Sequence, residues 1–321
     1  MTSGGGTAAG AGASGGGISG KMNGRGMGIE RIRALPCWRG EVAVEPLRGG
    51  LSNESWKAVD AAGAHVVRFG ADFPFHHVSR ANEVMAARAA HRAGFAPEVE
   101  FDAPGVMVSR FLDARTWGEA EVRADPGRVG RFLRDFHGRM PGEVSGPGVI
   151  FWVFHVIRDY ARTLAARRSR FASDLPRLVG IAAAMEAAQV PLPIVYGHHD
   201  LLPANFLEDA AGRLWLIDYE YAGFGTAMFD LAGAASNAGM DAGEAGALLA
   251  AYFGHDPDAA TLRAFDAMQC ASLAREAMWA MVSEIFLAAP GADYDAHARD
   301  FLGRLDAALD RYQTSHGKIM P

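Results

Sequence analysis

One stretch, residues 196–218, constrains the fold of this 321-residue chain more than any other. It opens with a segment that carries Asp200 and Asn205, and a proline between them prevents a continuous helix, so we expect a loop. A β-hairpin follows, because apolar residues flank an Asp-Ala-Ala-Gly turn at 209–212. The hairpin would deliver Asp218 at the exit of its second strand.

The polar side chains of this stretch are hard oxygen ligands. Asn205 offers an amide oxygen and Asp218 a carboxylate, which suits Mg²⁺, an ion that keeps waters and substrate phosphates beside one or two carboxylates. Asp200 then remains as the base that orients an acceptor hydroxyl for phosphoryl transfer. Each residue alone is common in loops. Only the three together, at this spacing, indicate the chemistry.

The motif His198-x-Asp200-x4-Asn205, followed by Ile-Asp-Tyr-Glu-Tyr at 217–221, resembles the aminoglycoside phosphotransferase and choline kinase superfamily. The second segment is most similar to the choline/ethanolamine kinase branch. The resemblance extends from Val42 to the C-terminus.

This resemblance implies an α+β, two-lobed, protein-kinase-like fold, with a small antiparallel β N-lobe and a larger, mainly helical C-lobe. It also implies ATP and Mg²⁺ as cofactors, with Asp200 as the catalytic residue and Asn205 and Asp218 as metal ligands. We expect three parts: a disordered Gly/Ala/Ser-rich leader at 1–28, a nucleotide-binding N-lobe at 29–109, and a catalytic and acceptor-binding helical C-lobe at 110–321.

Three antiparallel strands are predicted within residues 42–48, 55–59 and 65–69. The Gly-rich connection between the first two could bring backbone amides close to nucleotide phosphates. An ordinary hairpin turn is the alternative. The nucleotide-binding candidates in this connection are Gly50, Ser52 and Asn53.

Arg68 occupies the third-strand position at which protein kinases carry a phosphate-binding Lys, and its planar fork can bind two phosphate oxygens. Glu83, early in a helix predicted over 78–93, is by resemblance the carboxylate that pairs with this cation. An edge-strand Arg and a solvated Glu are the alternatives. Ser109 and Phe111 match the hinge between the lobes, where backbone groups would bind adenine.

Three aromatic residues are candidates for the acceptor site. A quaternary ammonium has no hydrogen-bond donors and is recognised by aromatic faces and acidic residues. Tyr221 resembles a cage tyrosine of choline kinases, and Trp279 resembles one tryptophan of the family's Trp-x-x-Trp cage, whose other position holds Val282. Core packing is the alternative for Trp279 and Tyr294. The other substrate-binding candidates are Glu220, Glu276 and Tyr294.

Two polar residues are expected to shape the loop. We expect His198 to form hydrogen bonds with backbone groups. By the same resemblance, Asp230 would accept hydrogen bonds from the amides of the catalytic loop. A helix N-cap is the alternative for Asp230. His137 continues an apolar helix face and is predicted to be a core residue.

The net charge of −6 argues against a nucleic-acid partner, which requires a basic face. The sequence contains no run of about 18 apolar residues, so no membrane partner is expected. The two cysteines indicate neither a disulfide framework nor a metal pattern, and a cytoplasmic location is the default. The resemblance leaves a homodimer open.

We therefore expect ATP-dependent phosphorylation of the hydroxyl of a small amino alcohol, with choline or ethanolamine first. One alternative is another acceptor: an aminoglycoside, a thiamine-like alcohol or a sugar. The other is a catalytically inactive kinase-like binding module.

Overall fold

The computed structural model describes residues 28–47, 54–287 and 292–318. Residues 1–27 of the expected leader lie outside these ranges. So do three nucleotide-binding candidates: Gly50, Ser52 and Asn53.

The N-terminal part is a five-stranded antiparallel sheet in the order β1-β2-β3-β5-β4. Its strands are β1 Ala43–Pro46, β2 Glu54–Asp60, β3 Gly63–Phe69, β4 Val99–Ala103 and β5 Val106–Arg110. A short helix at residues 28–33, α1, packs Ile32 against Trp56 and Val67 in a core of its own. The expected lobe boundary at 109–110 falls at the end of β5.

Two smaller antiparallel sheets carry the hairpin and the strand before the loop. The three-stranded sheet contains β6 Ala114–Thr116, β8 Phe206–Asp209 and β9 Leu214–Leu216, and the two-stranded sheet contains β7 Ile194–Gly197 and β10 Gly223–Thr226.

Helices make up most of the remaining described chain. They are α2 Arg80–Ala93, α3 Glu119–Ala124, α4 Pro126–Glu143, α5 Val153–Ala166, α6 Leu175–Ala187, α7 Ala227–Ala238, α8 Ala242–Phe253, α9 Ala259–Phe286 and α10 Tyr294–His316. The long helix α9 is buried around most of its surface and contacts α5, α6, α7 and α10. A second, larger hydrophobic core surrounds it. The two cores give the expected α+β, two-lobed fold.

The hairpin at β8 and β9 forms as predicted, because its turn is stabilised locally. Asp209 Oδ1 accepts the backbone N–H groups of Ala211 and Arg213 at 3.0 and 2.9 Å. Gly212 has a φ of +76°, which a residue with a Cβ rarely adopts. The turn thereby sets the register that delivers Asp218 beside the loop. No helix within the described ranges is both long and apolar enough to cross a membrane.

Candidate active site

Asp200 lies on a tight loop between β7 and a 3₁₀ turn at Pro203–Asn205. Its carbonyl oxygen accepts two hydrogen bonds, from Leu202 N at 2.9 Å and from Asn205 Nδ2 at 2.8 Å. The proline therefore interrupts helix formation as expected, and the loop folds back on Asp200.

Asp230, in the first turn of α7, holds this loop in place through hydrogen bonds to its backbone. Its carboxylate accepts the backbone N–H groups of His198 and His199 at 2.8 and 2.7 Å, and His137 Nε2 lies 2.8 Å from it. Burial opposes ionisation, but the His137 hydrogen bond and the surrounding imidazoles hold the pKa of Asp230 well below its ordinary value. The expected role of Asp230 is confirmed, and so is the core placement of His137.

His198 connects the loop to the hairpin. Its Nδ1 accepts the Asp200 N–H at 3.3 Å, so its Nε2 carries the hydrogen that is donated to the Ile217 carbonyl at 2.9 Å. Burial lowers the pKa of His198, which keeps this neutral tautomer. The expectation that His198 shapes the loop through backbone groups is confirmed.

Two glycines allow the loop to pack this closely. A Cβ on Gly197 would collide with the His199 ring and approach Asp230 Oδ2 to 3.0 Å, and one on Gly225 would lie 2.7 Å from the Phe151 carbonyl. His199 itself stacks on Phe151, with ring centroids 4.4 Å apart. Residues larger than glycine therefore do not fit at positions 197 and 225, because both positions lie against the His199 ring.

The environment of the Asp200 carboxyl favours its protonated form. Burial raises its pKa well above the ordinary aspartate value. The charge of Arg275 opposes this increase, while nearby carboxylates, first Asp218, add to it. Such a raised pKa is a common property of catalytic acids and bases.

Asn205 and Asp218 are held side by side at the base of the loop. The Ile217 N–H bonds to the Asn205 carbonyl at 3.1 Å, one residue before Asp218. Because Asn205 Nδ2 is used by the Asp200 carbonyl, its amide oxygen remains for a cation. Asp218 has a φ of +71°, an unusual backbone conformation for a non-glycine residue and one that recurs at functional sites.

This donor set fits Mg²⁺, which needs only one or two protein carboxylates beside substrate phosphates. Within the described ranges, no cluster of three or more His, Cys, Asp or Glu side chains is arranged to hold a metal by itself. Asn205 and Asp218 would therefore hold the ion together with the nucleotide.

A buried charge cluster adjoins Asp218. Arg68 Nη2 pairs with Glu83 Oε1 and lies 2.8 Å from Asp218 Oδ1 and 3.7 Å from Glu220 Oε2. Glu83 is 3% exposed, so it is neither a solvated nor a surface residue. The structure brings the expected pair together and places it against the proposed metal ligand.

Arg80 completes this cluster and was not singled out from the sequence. Its Nη1 donates to Glu83 Oε2 at 2.6 Å and to Glu220 Oε2 at 3.0 Å. Glu220 therefore lies with the two arginines. Burial raises its pKa, Asp218 adds to the increase, and the arginines oppose it.

The hinge candidates lie at the end of the five-stranded sheet. Ser109 is in β5, opposite Val66 of β3. The Phe111 N–H donates to the Ala64 carbonyl at 2.9 Å, so Phe111 can offer only its carbonyl to an adenine. The Phe111 ring packs against the Lys57 ammonium, 4.6 Å from the ring centroid.

On the acceptor side, Tyr221 and Trp279 meet. Trp279 Nε1 donates to the Tyr221 hydroxyl at 3.0 Å. The Tyr221 ring is buried, and the Arg275 guanidinium lies 4.5 Å from its centroid. A cation of the protein itself therefore covers one face of this ring, and that face is closed to a quaternary ammonium.

Trp279 has further aromatic neighbours. It stacks on His76 with centroids 5.2 Å apart, and Tyr294 lies edge-on at 6.2 Å. Val282 is fully buried, so it belongs to the core. Trp279 combines core packing with a polar contact to Tyr221.

Glu276 lies beside this aromatic group, between the side chains of Arg275 and His297. Its carboxylate accepts from Arg275 Nη1 at 2.8 Å and lies 3.3 Å from His297 Nε2. Burial favours the neutral acid, but His297 and Arg275 hold the pKa of Glu276 below its ordinary value. A small cavity joins Asp200, Arg275 and Glu276.

Sequence reasoning missed Arg80, Arg275 and His297 as members of the site. The i, i+3 spacing of Arg80 and Glu83 was an available signal for Arg80. Arg275 lies in a helix with many apolar neighbours. A charged residue on a helix face that is otherwise apolar is unusual, and this was an available signal for Arg275. His297 had no local signal, because its contact depends on how α10 packs against α9.

The comparisons with known proteins identify a family of phosphotransferases. Residues 43–265 match the model of the phosphotransferase enzyme family. A probable ethanolamine kinase from Arabidopsis thaliana is 25% identical over 211 residues, which cover 59% of this chain and 54% of that protein. The chain thus matches about half the length of that curated relative.

Solved structures resemble the whole described fold. A choline/ethanolamine kinase family protein from Mesorhizobium loti has a TM-score of 0.73 and 27% identity, over 91% of this chain and 99% of that one. A choline kinase from Streptococcus pneumoniae also has a TM-score of 0.73, at 21% identity, over 90% of this chain and 100% of that one. A spectinomycin phosphotransferase has a TM-score of 0.60 at 12% identity, over 88% of this chain and 98% of that one. The last two, at these identities, show a shared fold alone.

Proposed function

Because this chain belongs to the phosphotransferase enzyme family, we propose that it transfers the γ-phosphoryl group of ATP to the hydroxyl of a small amino alcohol, ethanolamine or choline first. The chain is a small-molecule kinase. The acceptor and the roles of single residues are our proposal.

One observation carries the proposal: the loop of Asp200 is tied through His198 and Asn205 to the strand end that bears Asp218. Catalysis of phosphoryl transfer is mostly positioning and electrostatic stabilisation, so the relative placement of these groups is what the reaction needs. The bonds through His198 and Asn205 would supply that placement.

In the proposed step, an oxygen of the acceptor hydroxyl attacks the γ-phosphorus of ATP. The new O–P bond forms while the bond between the γ-phosphorus and the bridging oxygen breaks, and ADP leaves. The hydroxyl proton passes to the ionised Asp200 carboxylate and then to solvent. Asp200 must therefore be deprotonated before the step, despite its raised pKa.

Nucleotide phosphates would be bound from the N-lobe side by Arg68, which Glu83 holds in place. Mg²⁺, when bound by Asn205 and Asp218, neutralises charge on the phosphate oxygens. The Arg68 side chain is 14% exposed, and its Nη2 lies 2.8 Å from Asp218 Oδ1, so Arg68 is next to the proposed metal ligand. We infer that phosphates reach Arg68 there.

A cationic acceptor is supported by the acidic residues beside Asp200 and by the names of the similar kinases. The primary ammonium of ethanolamine can donate hydrogen bonds to Glu276, whereas a quaternary ammonium needs aromatic faces. Since Arg275 covers the Tyr221 ring, ethanolamine is favoured over choline.

The proposal is tested by measuring Mg²⁺-dependent ADP release from ATP with ethanolamine, choline and an aminoglycoside. Turnover with one amino alcohol that Asp200→Asn abolishes would support it. Turnover with the aminoglycoside alone would transfer the proposal to a different acceptor class.

A further inference from the structure

Two side chains of α2 bind the chain just beyond the proposed metal ligand Asp218. Arg80 Nη1 donates to the buried Glu220 carboxylate at 3.0 Å, and Asn82 Nδ2 donates to the Ala222 carbonyl at 2.8 Å. Glu220 and Ala222 lie two and four positions after Asp218 in the chain. The first turn of α2, which lies between two strands of the N-lobe sheet, is therefore bonded twice to a segment of the C-lobe.

Arg80 is itself fixed from the N-lobe side. Its Nε donates to the Ala71 carbonyl at 2.9 Å, and its backbone N–H donates to Asp72 Oδ1 at 2.7 Å. Its guanidinium also lies 5.4 Å from the centroid of the Phe73 ring. All three partners belong to the connection between β3 and α2. The bond from Arg80 to Glu220 thus joins a well-anchored part of the N-lobe to the C-lobe.

Asp218 is a residue that needs such support. Its φ of +71° is unfavourable for a residue other than glycine and persists only where the surrounding structure fixes the backbone. The bond from the Ile217 N–H to the Asn205 carbonyl, at 3.1 Å, fixes the chain before Asp218. The bonds from Arg80 and Asn82 fix the chain after it. The backbone of Asp218 is therefore held from both directions.

We propose that Arg80 and Asn82 are positioning residues for phosphoryl transfer. By holding residues 220–222 from the N-lobe, they keep the Asp218 carboxylate oriented toward Mg²⁺. They also set its separation from Arg68, and this separation matters because the metal and Arg68 would bind phosphates of the same nucleotide. The inference rests on the proposed role of Asp218 and not on the identity of the acceptor. The competing explanation is that both residues only dock α2 on the C-lobe.

Asn82 provides the sharper test, because Arg80 also donates to Glu83 and a change there would disturb the phosphate-binding pair as well. Asn82→Leu keeps roughly the size of the side chain and removes its donor. The Ala222 carbonyl then still accepts from the Tyr196 hydroxyl, at 3.4 Å. The variant leaves no buried carbonyl without a partner, so we expect it to fold.

The quantity to measure is the gain in affinity that Mg²⁺ gives to adenylyl imidodiphosphate, a non-hydrolysable ATP analogue. It is the ratio of the dissociation constant in EDTA to that in excess Mg²⁺, both from calorimetry, and it requires neither acceptor nor turnover. Asp218→Asn gives the ratio that remains without the metal-binding carboxylate. Gln189→Leu is the matched control, because the Gln189 amide also joins two elements, by a bond of 3.1 Å to the Ala264 carbonyl of α9.

We expect Asn82→Leu to lower this ratio about 3- to 10-fold, as the loss of one hydrogen bond allows, with the affinity in EDTA unchanged. Gln189→Leu should leave the ratio at its wild-type value, although both variants lose a similar bond and should unfold at lower urea concentrations. If Asn82→Leu does not fold, Asn82→Ala is measured in the same way, and the same outcomes decide.

A wild-type ratio in a folded Asn82 variant would overturn the inference, since Asn82 would then only dock α2. A wild type whose analogue binds equally in EDTA and in Mg²⁺ would also overturn it, because Asp218 would then hold no metal. Failure of the wild type to release ADP with any amino alcohol would refute the proposed acceptor alone. The affinity ratio would still decide the inference in that case.

Discussion

His198 donates its Nε2 hydrogen to the carbonyl of Ile217 at 2.9 Å. This bond is one of the links between the loop that bears Asp200 and the strand end that bears Asp218; Asn205 makes another. Because His198 is buried and Ile217 is half-buried, loss of this bond leaves a poorly solvated carbonyl without a donor and loosens the distance between the two carboxylates.

We expect His198→Ala to lower kcat by about 10- to 100-fold, since a small misplacement of reacting groups has effects of that size. The same variant should lose about 1–3 kcal/mol of unfolding free energy. Steady-state kinetics and urea unfolding measure the two effects. His255→Ala, at an exposed histidine, should change neither; equal activity of His198→Ala and wild type would contradict the role.

Asp230→Asn should destabilise the fold by about 3–5 kcal/mol, because an amide cannot accept both loop N–H groups and leaves His137 without its carboxylate. The effect is read by urea unfolding at pH 7. Asp256→Asn, at an exposed position, is the matched control.

The pH dependence of this effect follows from the lowered pKa of Asp230. A carboxyl with a lowered folded-state pKa stabilises the protein above its unfolded pKa of about 3.9, and this contribution is lost as the pH falls through the folded value. The difference between wild type and Asp230→Asn should therefore shrink below about pH 4. A difference that is constant with pH would contradict the ionised state.

Arg68→Met should raise the KM for ATP by about 10- to 100-fold, since a charge-assisted bidentate phosphate contact is lost. It also leaves Glu83 with Arg80 as its remaining cation. In a double-mutant cycle with Glu83→Gln, the two changes should be non-additive because the side chains are paired. Arg110→Met, at an exposed ion pair on the same sheet, is the control; additive effects would count against the pairing.

Asp200 has the opposite pH signature to Asp230. Its pKa is raised, so its contribution to stability is present at low pH and is lost as the pH rises through the folded value. We expect Asp200→Asn to become more stable than wild type as the pH increases from about 4 to 8. Thermal melting of both proteins across this pH range measures the effect. The prediction would be contradicted if the stability of the wild type increased relative to that of the variant as the pH rises.

The sequence was most informative where contacts are local. The loop, the Asp209–Gly212 turn and the strand that leads to Asp218 follow from proline, glycine and apolar periodicity within a few residues. The helix face of α4 and the burial of His137 follow from the 3.6-residue repeat. The pairing of Arg68 with Glu83 came from chain order and family resemblance.

The remaining features depend on contacts between distant parts of the chain. Arg275 contacts Tyr221, which lies 54 positions earlier in the chain. The guanidinium of Arg275 is buried only because α9 packs against this distant segment. Arg80 reaches Glu220 across 140 positions. The helices α7 and α8 are rich in alanine and glycine, so no amphipathic pattern indicated them.

The central claim is that Asp200 acts as the base in phosphoryl transfer to a small alcohol. The most direct test is Mg²⁺-dependent ADP release with ethanolamine, choline and an aminoglycoside, for wild type beside Asp200→Asn. We predict acceptor-dependent ADP release that falls by about 100-fold or more in the variant, while the variant melts as a folded protein. Undiminished turnover by a folded Asp200→Asn protein would contradict the account.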